Sequence, residues 1–411
     1  MTDNIITFIF LSGNFIISLF LGAIIIPRIL LVSRKKQLYD SVDARKQHTG
    51  KVPRLGGISF FPAILITMCF MIGLGCCLGL PVRPFPNNTK AEFLFLVCGT
   101  GILYLIGEMD DLIGVRYKIK FIFQIAAAVM MISSGVWIHD LNGLFGIHIL
   151  PAWFGILFSI ILIVFITNSI NLIDGVDGLA SGLCIIAFGI LSLIYIHKSL
   201  FIYAMLAISA AGAIIPFWVY NVFGDQRKGH KLFMGDTGSL TLGLLLSFLA
   251  IKLCSIAPDS PAQSARNMII AFSTLLVPMF DAIRVSIHRM LRKRNPFLPD
   301  RNHIHHLLIR TGMKIRYVMV TIILIDVSFV ILNRILISFM NITFVICTDI
   351  ILWMLLHEII KKKVSLFEIK NGMAHDAAGN SFKVDDASMF GKEIENPDPE
   401  RNEAEKQQTC S

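Results

Sequence analysis

Asn168-Ser169-Ile170-Asn171-Leu172-Ile173-Asp174-Gly175-Val176-Asp177-Gly178 joins two long apolar runs, near 152–172 and 179–197. Its two amides, two carboxylates and two glycines have no place on a lipid-facing helix. A carboxylate at the bilayer centre costs roughly 3 kcal/mol even on lenient insertion scales, so such a cluster belongs at a helix end or in a cavity and reads as a functional site by default. The glycines let the chain turn tightly, and Asp177 is placed to cap the helix that follows. A plain Asn/Asp/Gly turn is the competing reading, but a simple connection needs neither two carboxylates nor two preceding amides.

The rest of the chain explains why apolar runs flank this stretch. Of its 411 residues, 55% are hydrophobic and 16% charged, with a mean hydropathy of +0.70. That composition describes an all-α polytopic membrane protein. Apolar runs near 5–32, 56–80, 93–107, 119–138, 152–172, 179–197, 200–220, 239–257, 267–288, 317–333 and 340–360 predict about eleven transmembrane helices. The first run lacks a basic leader and a small-residue cleavage site, so it is expected to be retained as a span. The net charge of +9 is assigned to membrane orientation, with no nucleic acid implied. The eight cysteines form no CxxC pair and are expected to be small core residues.

Alternate loops carry the basic residues: Arg34-Lys35-Lys36, Arg45-Lys46, Arg227-Lys228 and Arg292-Lys293-Arg294 on one side, and only scattered ones such as Arg83, Lys90 and Lys198 on the other. The positive-inside rule then puts the N-terminus outside and the C-terminus in the cytoplasm. Residues 1–362 form the transmembrane domain. Residues 363–411, rich in Asp, Glu, Lys, Asn and Gln, are expected to be a disordered cytoplasmic tail. Asp326 and Asp349 lie inside late spans, where an interhelical polar contact is the expected role.

Every polar motif falls in a predicted inner loop. The first presents His48, Lys51 and Arg54 ahead of Gly56-Gly57, cations suited to phosphate. The second holds Glu108-Met109-Asp110-Asp111 before Lys118 and Lys120. Adjacent carboxylates repel, so a metal, a bound lysine or a raised pKa is expected there, unless they are solvated helix-end acids. The fourth runs Phe233-Met234-Gly235-Asp236-Thr237-Gly238-Ser239 into a span. There a helix N-terminus favours phosphate and Asp236 can hold Mg2+, or Asp236 or Thr237 is simply an N-cap. The fifth carries Arg301, His303, His305 and His306, for which phosphate binding is preferred to metal ligation.

Asp110-Asp111, Asn168-x-x-Asn171-x-x-Asp174-Gly175-x-Asp177-Gly178, Phe233 to Ser239 and His303-Ile304-His305-His306 occur in the order found in the polyprenyl-phosphate N-acetylhexosamine-1-phosphate transferases. The chain resembles that family over roughly residues 1–360. The resemblance implies a multi-pass enzyme of the bacterial inner membrane with its active site on the cytoplasmic face. There undecaprenyl phosphate displaces UMP from a UDP-N-acetylhexosamine, UDP-GlcNAc in the first instance. The product is a lipid-diphosphate sugar that opens a cell-envelope polysaccharide such as lipopolysaccharide O-antigen or teichoic acid.

The resemblance also implies roles. Asp236 and Asn171 would hold Mg2+, or Mn2+ in its stead, and Asp110 would act as base or orient the acceptor with Asp111 in support. Asp174 would organise the diphosphate site, and Asn168 would line it. Asp177 and Phe233 would meet the uridine, while His48, Arg54, Arg301, His303, His305 and His306 would bind phosphate or sugar. A homodimer is compatible with this reading. The alternative within the family is the phospho-MurNAc-pentapeptide transferase of peptidoglycan synthesis, whose three-histidine run this chain lacks. The rival outside it is an ion-coupled secondary transporter, which would keep its carboxylates near the bilayer midplane and show an inverted repeat.

Overall fold

The computed structural model describes residues 2–38, 52–78, 87–256, 261–293, 302–371, 373–375 and 381–383. His48 and Arg301 lie outside the described residues. The helices are α1 (Thr2–Lys36), α2 (Phe60–Cys77), α3 (Asn87–Ile113), α4 (Tyr117–Ser133), α5 (Ala152–Ile173), α6 (Leu179–His197), α7 (Phe201–Phe223) and α8 (Gly235–Ser255). After them come α9 (Pro261–Ser273), α10 (Leu276–Leu291), α11 (Ile304–Arg310), α12 (Ile315–Leu336) and α13 (Ile342–Lys370).

Among the described residues nine helices are long and apolar enough to cross a membrane, ten if a bent pair counts as one span. The expected eleven therefore needs correction at two places. The run at 267–288 is α9 and α10, bent by 68°, where Pro278 in the first turn of α10 removes the N–H that would have bonded the carbonyl of Thr274. The run at 119–138 gives α4, whose 17 residues reach about 25 Å at 1.5 Å per residue, short of a hydrocarbon layer of about 30 Å. Large side chains such as Phe20, Leu94, Ile122, Ile161, Leu193 and Phe344 face outward, as expected where the solvent is lipid.

The axis of the bundle is α8. Residues 237–251 of it are buried almost without a break, because small residues admit neighbours on several sides. A Cβ on Gly243 would stand 2.7 Å from the Thr167 Cα of α5, and one on Gly107 of α3 would stand 2.5 Å from the Thr237 Cα. α3 and α8 run antiparallel. Lys252 in the last turn of α8 binds Glu92 near the start of α3 at 2.7 Å, while Asp111 near the end of α3 binds the first residues of α8.

The end of the bundle remote from the motifs carries an antiparallel hairpin, Asp140–Leu144 with Ile147–Ile149, docked on α13 through the Phe145 N–H to Thr343 at 2.8 Å. Asp349 accepts from Asn333 at 2.8 Å, and Asn333 also donates to Ser273 at 2.9 Å. Asp349 thus makes the expected interhelical contact. The cysteines differ from expectation. Cys69, Cys76, Cys77 and Cys98 are exposed and only Cys184 is buried among those described, since a sulfur side chain is as well accommodated against lipid as in the core. α13 continues to Lys370, past the expected boundary at 362, and its Glu368 pairs with Arg310 of α11 at 2.9 Å.

Candidate active site

The motif residues come from the C-terminal ends of α3, α5 and α7, the N-terminal ends of α6 and α8, and the segment ahead of α2. All of these meet at one end of the bundle. Close backbone approach brings that last segment in. Gly56 N–H donates to the Phe233 carbonyl at 2.9 Å, Gly57 N–H to the Met234 carbonyl at 2.8 Å, and Phe233 N–H to the Pro53 carbonyl at 2.9 Å. A Cβ at Gly57 would lie 2.1 Å from the Gly238 nitrogen. Only glycine allows this crossing, which carries Arg54 to the rim and leaves Phe233 half-buried.

The two adjacent carboxylates separate in role. Asp111 accepts from the Asp236 N–H at 2.8 Å and from the Thr237 N–H and hydroxyl at 2.9 and 2.6 Å. It is the N-terminal cap of α8, supplied from another helix, and neither Asp236 nor Thr237 caps that helix itself. Asp110 accepts from the Val115 N–H at 2.7 Å and from Lys120 at 3.2 Å. Lys120 also reaches Asp236 at 2.7 Å. Its ammonium is thus a cation held between two carboxylates that lie 126 residues apart in sequence.

Asn171 lies beside this pair, donating to Ser239 at 2.8 Å and hydrogen bonding to Asp236. Asp174 closes α5, and burial lifts its carboxyl to about 7, with Asp236, Asp177 and Asp111 adding repulsion and Arg54 opposing. Asp177 is ion-paired with Lys231. Gly178 takes a φ of +75° at the start of α6, where its N–H donates to Asn221 and its carbonyl accepts from Trp218. Asn168 stands apart from the acids, exchanging hydrogen bonds with Gln124 of α4 at 2.7 and 3.3 Å.

The histidine segment reaches the same centre through Gly175, whose Cβ would lie 2.3 Å from His305 Nε2. Burial and the neighbouring His306 and His303 hold His305 well below the usual imidazole range, which favours its neutral form. Its Nδ1 is buried without a partner. The His306 ring lies 4.3 Å from that of His305. His303 is held by Asp281 of α10, Nδ1 to Oδ2 at 2.7 Å.

Among the described residues no three His, Cys, Asp or Glu side chains form a ready-made metal cage. Mg2+ keeps several waters and takes one or two carboxylates together with substrate phosphates, so a site for it requires no such cage. Asp236, Asp110 and the amide of Asn171 offer hard oxygen donors around a position already favourable to positive charge.

Residues 93–254 match the profile of glycosyl transferase family 4. The chain is 30% identical over 296 residues to the undecaprenyl-phosphate alpha-N-acetylglucosaminyl 1-phosphate transferase of Yersinia pestis, covering 71% of this chain and 75% of that one. The protein of the same name from Salmonella typhi is 32% identical over 295 residues, with the same coverage. A probable undecaprenyl-phosphate N-acetylglucosaminyl 1-phosphate transferase of Bacillus subtilis is 30% identical over 320 residues, 77% of this chain and 82% of that one. The chain belongs to glycosyl transferase family 4.

The matched region runs from the first turns of α3 to the last turn of α8 and contains the whole acid cluster. Sequence reading gave no role to several groups that hydrogen bond or ion-pair with the motif residues or with Asp281: Gln124, Asn221, Lys231, Asp281 and Arg284. Lys120 was visible only as a flanking base. Asp281 and Arg284 had a signal, being ionisable residues inside an apolar run.

Proposed function

We propose that this protein transfers N-acetylglucosamine 1-phosphate from UDP-GlcNAc to undecaprenyl phosphate at the cytoplasmic face of the bacterial inner membrane, with its N-terminus outside. The reading rests above all on one observation: Asp110 and Asp236, from different helices, share a single cation beside Asn171 and Asp174 at one end of a membrane bundle. The names of the family relatives support the donor and acceptor. The basic loops support the orientation.

In this reading an oxygen of the lipid phosphate attacks the phosphorus that carries the sugar, the bond to the UMP oxygen breaks, and UMP departs with the electron pair. The second pKa of a phosphate monoester lies near 6, so the acceptor is largely dianionic at neutral pH and needs little help from a base. Asp110 then orients the acceptor and does not deprotonate it. Asp236 and Asn171 would hold Mg2+, which when bound neutralises charge on the diphosphate and the leaving UMP. Lys120 keeps Asp110 and Asp236 aligned, and Asp111 fixes α8 so that Asp236 faces them. Asp177, steadied by Lys231, and Phe233 line the side where the uridine would sit. Arg54 and the histidines meet the phosphates and sugar.

The test is UMP release by the purified protein in lipid with UDP-GlcNAc, undecaprenyl phosphate and Mg2+. Release that stops with EDTA and returns on adding Mg2+ is expected. No release from any UDP-N-acetylhexosamine would remove the proposal.

A further inference from the structure

The Asp281 carboxylate is 1% exposed and fully engaged. Oδ1 accepts from the Ile304 N–H at 2.9 Å and from Arg284 at 3.0 Å, and Oδ2 meets His303 Nδ1 at 2.7 Å. Arg284 also donates to the Asn302 carbonyl, so α10 grips the histidine segment at three successive residues. A buried carboxylate is costly unless paired and hydrogen-bonded. A helix of seven residues would be capped as well by Asn or Ser, without charge. The charge is matched by two contacts that a neutral cap would not improve, the Arg284 guanidinium and the His303 imidazole.

We propose that Asp281 is a positioning residue for the transfer reaction: it fixes the His303 ring with a proton on Nδ1, so that Nε2 is the nitrogen offered to the substrate. A carboxylate accepts only, so the facing Nδ1 must donate, which fixes the ring's orientation and leaves Nε2 as the nitrogen turned away from α10. The other titratable groups nearby are Arg284 on the same helix, His305 and His306 on α11, and His357 of α13, which senses both Asp281 and Arg284. The neutral, buried His305 packs its ring parallel to His303 at 5.7 Å. Of the two, His303 is thus the one with a built-in counter-charge.

This inference rests on the transferase reading, and its tests separate the two. Asp281→Asn keeps the size and the acceptor for Ile304 but turns an NH2 toward Nδ1. It is expected to lower kcat/KM for the UDP-sugar on the order of ten- to a hundred-fold, as loss of a charge-assisted hydrogen bond would. The effect should fall mainly in KM, with kcat much less changed. In a His303→Asn background, Asp281→Asn should add little.

A loss confined to kcat, or an equal loss in both backgrounds, would overturn the assignment. If Asp281→Asn does not fold, imidazole 15N shifts of the unaltered protein decide the matter, with His303→Asn assigning the signal. A protonated Nδ1 on His303 from pH 6 to 8 is expected, and an unprotonated one refutes the proposal. Absence of UMP release by the unaltered protein would sink the transferase reading and this inference's role in it, while the nitrogen shifts would still report the Asp281–His303 contact.

Discussion

The antiparallel pair α3 and α8 carries a carboxylate–lysine cluster at each end, and the two are built differently. At the hairpin end Glu92 meets Lys252 at 2.7 Å and accepts from the Tyr203 hydroxyl, and the Lys252 ammonium lies 5.1 Å from the Tyr203 ring centre. One negative group faces one positive group, and each has its hydrogen bonds. At the other end Asp110 and Asp236 share Lys120, while Asp174 and Asp111 stand close enough to repel. Acids outnumber the base there. A balanced pair staples two helices and asks for nothing more, whereas an acid-rich cluster carries repulsion that a held proton, or the proposed Mg2+, would relieve. Within one helix pair, charge balance separates scaffold from site.

The largest expected effect breaks that comparison directly. Asp236→Ala should cut turnover on the order of 10³-fold or more, while the folded fraction, read by size-exclusion chromatography and thermal unfolding, stays near that of the unaltered protein. The combined Glu92→Gln and Lys252→Met change at the other end should leave turnover per folded molecule nearly intact. Comparable losses of turnover from both changes would mean that the two clusters do not differ in kind.

A smaller effect probes how tightly the acid-rich end is assembled. At Gly107 an added Cβ meets backbone 2.5 Å away, which no side-chain adjustment relieves. Gly107→Ala should cost about 1–3 kcal/mol in stability and lower turnover as well, because Thr237 and Asp236 shift together. Glu92→Gln alone leaves Lys252 without its counter-charge. It should cost about 2 kcal/mol, below the usual value for a broken buried pair, because the Lys252 side chain keeps 17% exposure. Thermal midpoints and UMP release measured side by side distinguish the two ends. Only Gly107→Ala should depress both.

What was legible in the sequence follows the same division. Hydropathy alone places the helices, since lipid demands apolar length, and the polar motifs mark the loops between them. Hydropathy counts length without seeing breaks, so Pro278 and the short α4 escaped it. The acids of the site were legible as chemistry, but their pairing was not. Asp110 and Asp111 are indistinguishable on paper, and only the fold shows that Asp111 caps a helix through Asp236, 125 residues later, while Asp110 faces a lysine. Asp281 did stand out as an acid inside an apolar run, but its meaning depends on its contact with His303, which only the fold shows.

The finest test concerns Asp174, the acid that burial and its neighbours lift to about 7. Its folded carboxyl holds a proton more tightly than an unfolded one near 3.8, so the contribution to stability is full below about 4 and is lost as pH rises to about 7. The thermal midpoint should accordingly decline across that window and level off above it. Asp174→Asn, which cannot ionise, should flatten the decline. Equal slopes in both proteins would show that Asp174 is not burdened by its neighbours. The negative charge at this end would then be smaller than the geometry implies, and the contrast with the balanced Glu92–Lys252 end would narrow to the two carboxylates around Lys120.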